Sequence, residues 1–519
     1  MGCFRSFIFH RQAIVGTPFI MAKNYGRRKA SKRCFGQGLT AIGLAVTVAV
    51  TLAGCANDGS VDIGGEFLGA VAADEPRAAL VGRDVLAAGG TATDAAVATF
   101  FSLAVTLPSS AGLWSTGSCV VLDPARKRYE KIAFGIGPTA PSAGNAGALT
   151  LPQAPRAMNI LHARYGRVPI QNLLVKSEQL ARWGSRVSRQ LANDVQAHQA
   201  ILGPKARQLF QPAGQNVPLS TVLKQSALAD ILAQLRAYGI DDLYEGALAR
   251  RLVAAAKREN LQLDGDALRQ AVPAWTPVTG LRHVNQTWVM TSPSIVTEQR
   301  LNAVLKRLSQ DENWTGRSDQ GRLKALYAAH VADDRQPVAA DRESAQDRAG
   351  SSAFWALDAA GQAVGCAISL GRAFGGGYML GETGLFALRA GDVAAGSSNA
   401  AVLMVGNTLN WQSHMIAAGS GGPAAGDALI AVALDHFTGE MALKAAIDRP
   451  RQSVISARQI AQEAAITASN LPPEVLNDRQ DKLARVRAIH CFEGLPRYEF
   501  DCVVGDDQRG AGLVVFEQK

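Results

Sequence analysis

The first 54 residues of this 519-residue chain contain no aspartate and no glutamate. They carry eight basic residues: Arg5, Arg11, Lys23, Arg27, Arg28, Lys29, Lys32 and Arg33. An apolar run, LTAIGLAVTVAVTLA, follows from Leu39 to Ala53. It falls short of the about 20 residues that cross a bilayer comfortably. A basic start, a short apolar stretch and a small-residue stop are the parts of a secretory signal. The alternatives are an ordinary buried helix or an anchor left uncut. Met21 is a second candidate start, because residues 1–20 add nothing a signal needs, and Arg27-Arg28 is a weak twin-arginine pattern.

The missing acids of the leader decide the charge argument. The whole chain has 53 basic and 44 acidic residues, and without the leader 45 basic residues remain against the same 44. The net +9 therefore belongs to the leader and gives no reason to expect a nucleic-acid partner. Histidine is scarce, with eight in the chain, and no CxxC or histidine-rich spacing occurs. A metal centre or a histidine-based triad is disfavoured, and no cofactor is expected. After Cys55 only Cys119, Cys366, Cys491 and Cys502 remain. An exported chain can oxidise them, and Cys491 and Cys502 flank a short turn-like stretch that would let them pair.

Residues 56–72 are small and polar and read as a tether. From Arg77 to Val105 the pattern is alanine-rich and helical, broken at Gly89-Gly90; residues 115–134 read as strand, turn, strand; residues 152–200 read as helices around a loop. Leu243–Arg258 is amphipathic. Residues 331–350 are charged and poor in large apolar side chains, which predicts an exposed, mobile segment. SSAFWALD, a turn at Ala359-Ala360-Gly361 and QAVGCAISL follow, apolar on both faces as doubly covered strands are. A strand at Ala401–Val405, a helix over Pro423–Phe437 and short strands at Tyr498–Val504 and Gly512–Phe516 complete the pattern. Strands covered by helices on both faces predict a layered α/β sandwich.

Gly350-Ser351 sits between the charged segment and the first of those strands. If the peptide bond before Ser351 were cut, the residue would gain a free α-amine able to act as base for its own hydroxyl. Gly350 permits the unusual backbone that such a cut needs. The bland alternative is a turn before a strand.

The stop sequence Leu52-Ala53-Gly54-Cys55 resembles the lipobox of bacterial lipoproteins. It implies that residues 1–54 are removed, that Cys55 is acylated, and that the protein is lipid-anchored in the cell envelope. Ala56 hints at the outer membrane. The remainder resembles the γ-glutamyltranspeptidase family of N-terminal-nucleophile (Ntn) hydrolases. The resemblance rests on VGRDVLAAGGTATDAAVATFFSLAVTLPSSAG (81–112), ARYGRVPIQNLL (163–174), LYEGALARRLV (243–253) and SSAFWALDAAGQAVGCAISLGRAFGGG (351–377). Gly381-Glu382-Thr383-Gly384, Ser397-Ser398 and Gly419-Ser420-Gly421-Gly422 follow in the family's order.

The resemblance implies a four-layer αββα sandwich of the Ntn-hydrolase type and self-cleavage between Gly350 and Ser351. The products would be a large subunit ending at residue 350, with its folded part over 73–350, and a small one, 351–519, held to it only by packing. Ser351 would be the nucleophile, Ser369 the assisting hydroxyl, and Gly421 and Gly422 the backbone N–H pair of the oxyanion hole. Ser397, Ser398 and, out of register, Asp392 would hold the substrate, a small amide or peptide. The departures fall on glutamate recognition. The family's carboxylate-gripping arginine falls near Gly135, its substrate-binding asparagine is Gly371, and its acidic segment has become LRAGDVAAG (388–396). Arg372 and Arg389 are the nearby cations that could meet an anionic substrate. Two functions stay open: an envelope amidohydrolase or acyltransferase, and a catalytically impaired homologue that serves as a binding or scaffold lipoprotein.

Overall fold

The computed structural model describes residues 67–135, 147–332, 350–390, 399–456, 458–466, 475–497 and 501–518. The leader, Cys55, the charged segment 333–349, Asp392, Ser397 and Ser398 lie outside the described residues.

Two large sheets organise the chain. Their strands are, in chain order, β1 (Phe67–Ala73), β2 (Thr116–Asp123), β3 (Arg128–Phe134), β4 (Ala274–Thr276), β5 (Gly280–His283), β6 (Gln286–Thr291) and β7 (Ser351–Asp358). Then come β8 (Ala363–Ser369), β9 (Ala400–Asn407), β10 (Ser413–Ser420), β11 (Arg485–Leu495), β12 (Cys502–Gly505) and β13 (Leu513–Gln518). The seven-stranded sheet runs β13-β1-β7-β8-β2-β3-β4, and the six-stranded sheet runs β12-β11-β10-β9-β6-β5. Every neighbouring pair in both sheets is antiparallel.

Side chains alternate between the two faces of a strand, so each strand here feeds two cores. In β8, Val364, Cys366 and Ile368 join the cluster under the first layer of helices, while Ala363 and Ala367 join the cluster between the sheets. In β9, Leu403 and Val405 pack with the second layer of helices, while Val402 and Met404 face inward. The result is a four-layer αββα sandwich. Trp355 of β7 is fully buried between the sheets, and its Nε1 donates to Arg487 O of β11 at 2.9 Å. Its single polar atom is thus satisfied across the interface.

The helices follow their local signals. Pro76–Ala87 opens with proline at its first position, and the Glu75 carboxylate accepts from Ala78 N at 3.0 Å. It ends before Gly89, at φ +84°. Thr91 and Asp94 form a reciprocal capping box for Ala92–Thr106, every residue of which is buried. The expected helix over Pro423–Phe437 begins two residues later, at Ala425.

Two expectations need correction. Residues 67–72 are not tether: Phe67–Ala73 is β1, paired to both β13 and β7 and buried along its length except for Leu68. Its sequence, FLGAVAA, is small because the neighbours are close. A Cβ on Gly69 would lie 2.6 Å from Leu357 O and 2.7 Å from Leu86 Cδ1. Nor is packing all that joins the segments on either side of Gly350. Cys119 of β2 and Cys366 of β8 are direct partners in the sheet register and form a disulfide. Their separation of 247 residues hides in the sequence the contact that the β2–β8 pairing creates. A second disulfide joins Cys491 of β11 to Cys502 of β12.

Candidate active site

Three hydroxyl residues stand side by side at one end of the seven-stranded sheet. Ser351 opens β7, pairs in register with Ser369 at the end of β8, and Ser369 pairs with Thr116 at the start of β2. All three are buried. Ser351 Oγ donates to Ser369 Oγ at 3.0 Å, and Ser369 Oγ donates to the Gly350 carbonyl at 3.3 Å while accepting from Gly371 N at 3.0 Å. The same carbonyl accepts from Leu370 N at 2.6 Å. The peptide bond between Gly350 and Ser351 therefore has two donors on its oxygen and a hydroxyl relay beside it. Two donors on a carbonyl oxygen favour negative charge developing there.

Glycine is required at position 350. Its φ is +114°, and a Cβ would sit 2.5 Å from Arg372 O and 2.8 Å from Ala373 N. No side chain fits without moving backbone.

The second part of the site is a buried carboxylate that sequence reasoning missed. Asp74 follows β1 and is fully buried. Its Oδ2 accepts from Ser352 Oγ at 2.8 Å and Ala353 N at 3.3 Å. Its Oδ1 accepts from Ser420 Oγ at 2.8 Å, Arg485 Nε at 3.0 Å and Arg487 NH1 at 2.6 Å. Burial alone would raise its pKa. The Arg485 and Arg487 guanidiniums outweigh burial, with help from the Ser420 and Ser352 hydroxyls, and hold it at about 2. One ionised carboxylate thus bonds the residue after Ser351 and the residue before Gly421, clamping the ends of the two sheets together.

Gly421 and Gly422 form the turn from β10 into the helix Ala425–Phe437, with φ of +90° and +119°. Gly422 O accepts from Ala425 N at 3.0 Å, and Gly422 N donates to Asn399 O at a long 3.4 Å. Arg485 lies against the turn, with Cζ 3.5 Å from where a Gly421 Cβ would be. Its NH1 donates to Gln190 Oε1 at 3.1 Å; Gln190 Nε2 donates to Asp194 Oδ1 at 2.7 Å; Ser109 Oγ donates to Asp194 Oδ2 at 2.6 Å. Burial raises the Asp194 pKa, opposed by Ser109 and Arg485. The sequence carried one signal for this network. Arg485 and Arg487 are two cations at alternate positions at the start of a strand, hence on one face. Nothing comparable marked Asp74, Gln190 or Asp194.

Other candidates are placed elsewhere or are engaged. Arg389 stacks on the Tyr378 ring with Cζ 4.6 Å from its centroid. The Arg372 backbone walls in Gly350. Gly135, near which the resemblance puts the family's arginine, has φ +69°, and its Cβ would lie 2.6 Å from Thr116 Cγ2, so the position has no room for a side chain. Gly371, at φ +73°, is left-handed, a conformation asparagine also adopts, and its N–H supports Ser369.

Residues 78–294 match the family model described as gamma-glutamyltranspeptidase. Over those residues the chain resembles the γ-glutamyltranspeptidase family. It is 30% identical over 217 residues to glutathione hydrolase 3 of Arabidopsis thaliana, covering 39% of this chain and 34% of that protein. It is 25% identical over 296 residues to the glutathione hydrolase proenzyme of Escherichia coli (strain K12), covering 53% and 51%. The chain thus spans about a third to a half of the length of these curated relatives. Among solved structures, cephalosporin acylase from Bacillus halodurans superposes with a TM-score of 0.69 over 87% of this chain and 96% of that one, at 18% identity. At that identity the likeness speaks for the fold.

Proposed function

We propose that this γ-glutamyltranspeptidase relative is a self-processing amidohydrolase or acyltransferase, cut between Gly350 and Ser351, with Ser351 as N-terminal nucleophile. The observation that carries the reading is the Gly350 carbonyl, held by Leu370 N and Ser369 Oγ beside the Ser351 hydroxyl. Ser351 Oγ attacks the Gly350 carbonyl carbon, and the oxyanion rests on those two donors. The C–N bond breaks as the nitrogen takes up a proton, leaving an ester between Gly350 and Ser351 Oγ. Water hydrolyses the ester, giving a Gly350 carboxylate, a free Ser351 hydroxyl and a free α-amine. In turnover that amine is the base for Ser351 Oγ, Ser369 assists, and the Gly421 and Gly422 N–H groups receive the oxyanion. The name of the E. coli relative, a proenzyme, is in keeping with a precursor form.

The substrate is a small amide whose acyl group is released to water or to an amine. Gly135 cannot supply a bidentate carboxylate clamp, so turnover of γ-glutamyl substrates is expected to be weak. Ser397, Ser398 and Asp392 are the residues proposed to line the acyl site. Export by the 1–54 leader and acylation of Cys55 would put this chemistry in the cell envelope.

A second reading, an envelope binding or scaffold lipoprotein, draws on Gly135 and on the Gly422 N–H already turned to Asn399 O. Incubating the purified protein with anilides of γ-glutamate and of neutral acyl groups separates the two. Release of aniline from any of them supports the enzyme. Intact precursor with no release supports the scaffold.

A further inference from the structure

We infer that the mature protein is a two-chain molecule held covalently by the Cys119–Cys366 disulfide, so that the chain bearing Ser351 stays bonded to the chain bearing the Cys55 anchor. The inference rests on the proposed cut at Gly350. Cys119 lies before that bond and Cys366 after it, and no other disulfide among the described residues crosses it. Cys491–Cys502 closes 11 residues within the later part.

The position of the bridge gives it a task. Cys366 is on β8 three residues before Ser369, and Cys119 is on β2 three residues after Thr116. The bridge therefore pins the β2–β8 register next to the row Thr116, Ser369, Ser351. A slip of one residue would turn each of these side chains to the opposite face. Strand order also shows what the cut would do. The later segment supplies β7 and β8 to the middle of the sheet and β13 to its edge, interleaved with β1 and β2 of the earlier segment. Packing alone keeps such a sheet together while folded. Once unfolded, two unlinked chains must find each other again, a step that depends on concentration, whereas a linked pair refolds as one molecule.

Formation of the bridge balances simply. The two thiols lose two protons and two electrons to the disulfide of a thiol–disulfide oxidoreductase, which becomes a dithiol. Both cysteines are fully buried in the folded protein, so the bond forms as the sheet closes and then resists reductants. That requires folding in an oxidising compartment, as the leader implies.

The test uses the full exported protein, denatured with a thiol-blocking alkylator and run with and without reductant. The expected result is one band without reductant and two with it, plus a joined Cys119–Cys366 peptide in unreduced digests. Refolding yield of the unreduced protein should stay constant over an about 100-fold dilution and fall after reduction and alkylation. Two bands in both lanes would overturn the bridge while leaving the cut intact. One band in both lanes, with the joined peptide present, would overturn the two-chain molecule through the cut rather than the bridge. The Cys119→Ser/Cys366→Ser double variant should show two bands without reductant. If it fails to fold, the peptide map of the wild-type protein still decides.

Discussion

Replacing Asp74 by asparagine tests the clamp between the sheets. The substitution keeps size and shape but removes the charge that Arg485 and Arg487 meet at 3.0 and 2.6 Å, and it places an N–H₂ where one carboxylate oxygen accepted. Breaking one side of a buried ion pair typically costs about 3–5 kcal/mol. Here the cost should fall toward about 3 kcal/mol, because Arg487 keeps Asp506 at 3.0 Å and Arg485 keeps Gln190 at 3.1 Å. With unfolding entropy near 2.1 cal/mol/K per residue, a body of this size should lose only a few degrees of Tm. The processing rate should suffer more. Ser352 and Ser420 lose their common acceptor, Ser351 and the Gly421-Gly422 turn are no longer held to each other, and a misplacement of about 1 Å can cost about 100-fold in rate. The assay follows conversion of purified precursor on reducing gels, alongside a thermal melt. Asp506→Asn is the control, since Asp506 touches Arg487 from the half-exposed side and is not bonded to Ser352 or Ser420. Precursor that converts at the wild-type rate in Asp74→Asn, despite a lowered Tm, would refute the positioning role and leave Asp74 as a purely structural group.

The same carboxylate makes stability pH-dependent. Its pKa is about 2 when folded against an ordinary 3.8, so its contribution is complete above about pH 4 and is lost as pH falls toward 2. Denaturant midpoints should drop across that window, by less in Asp74→Asn. Ser369→Ala removes the hydroxyl between Ser351 Oγ and the Gly350 carbonyl and should slow processing about 10- to 100-fold at nearly unchanged Tm, read on the same gels. Gly135→Arg should not create γ-glutamyl activity, because φ +69° and the nearby Thr116 oppose any side chain there; lowered precursor stability by thermal melt is expected instead.

The sequence carried the scaffold well because its signals are local. Proline and Glu75 start one helix, Thr91 and Asp94 start the next, and the apolar runs SSAFWALD and QAVGCAISL with a turn between them announce β7 and β8. β1 escaped notice because FLGAVAA is as small as a linker, and its smallness reflects close neighbours rather than freedom. The clamp escaped because its parts are 278 to 413 residues apart and only the closing of two sheets brings Asp74 to Ser352, Ser420, Arg485 and Arg487. Cys119 and Cys366 illustrate the same limit: pairing is set by strand order, which spacing does not encode. The row of Ser351, Ser369 and Thr116 lay between these cases. Ser351 and Ser369 lie in one family-like stretch, 351–377, and Thr116 joins them through register alone.

Everything proposed for this site depends on the cut before Ser351. Purified mature protein, fully reduced and separated on a gel, should give two chains, the smaller one beginning SSAFW by N-terminal sequencing, while Ser351→Ala remains one uncut chain of the same fold. A single full-length chain from the wild-type protein under reducing conditions would contradict the account.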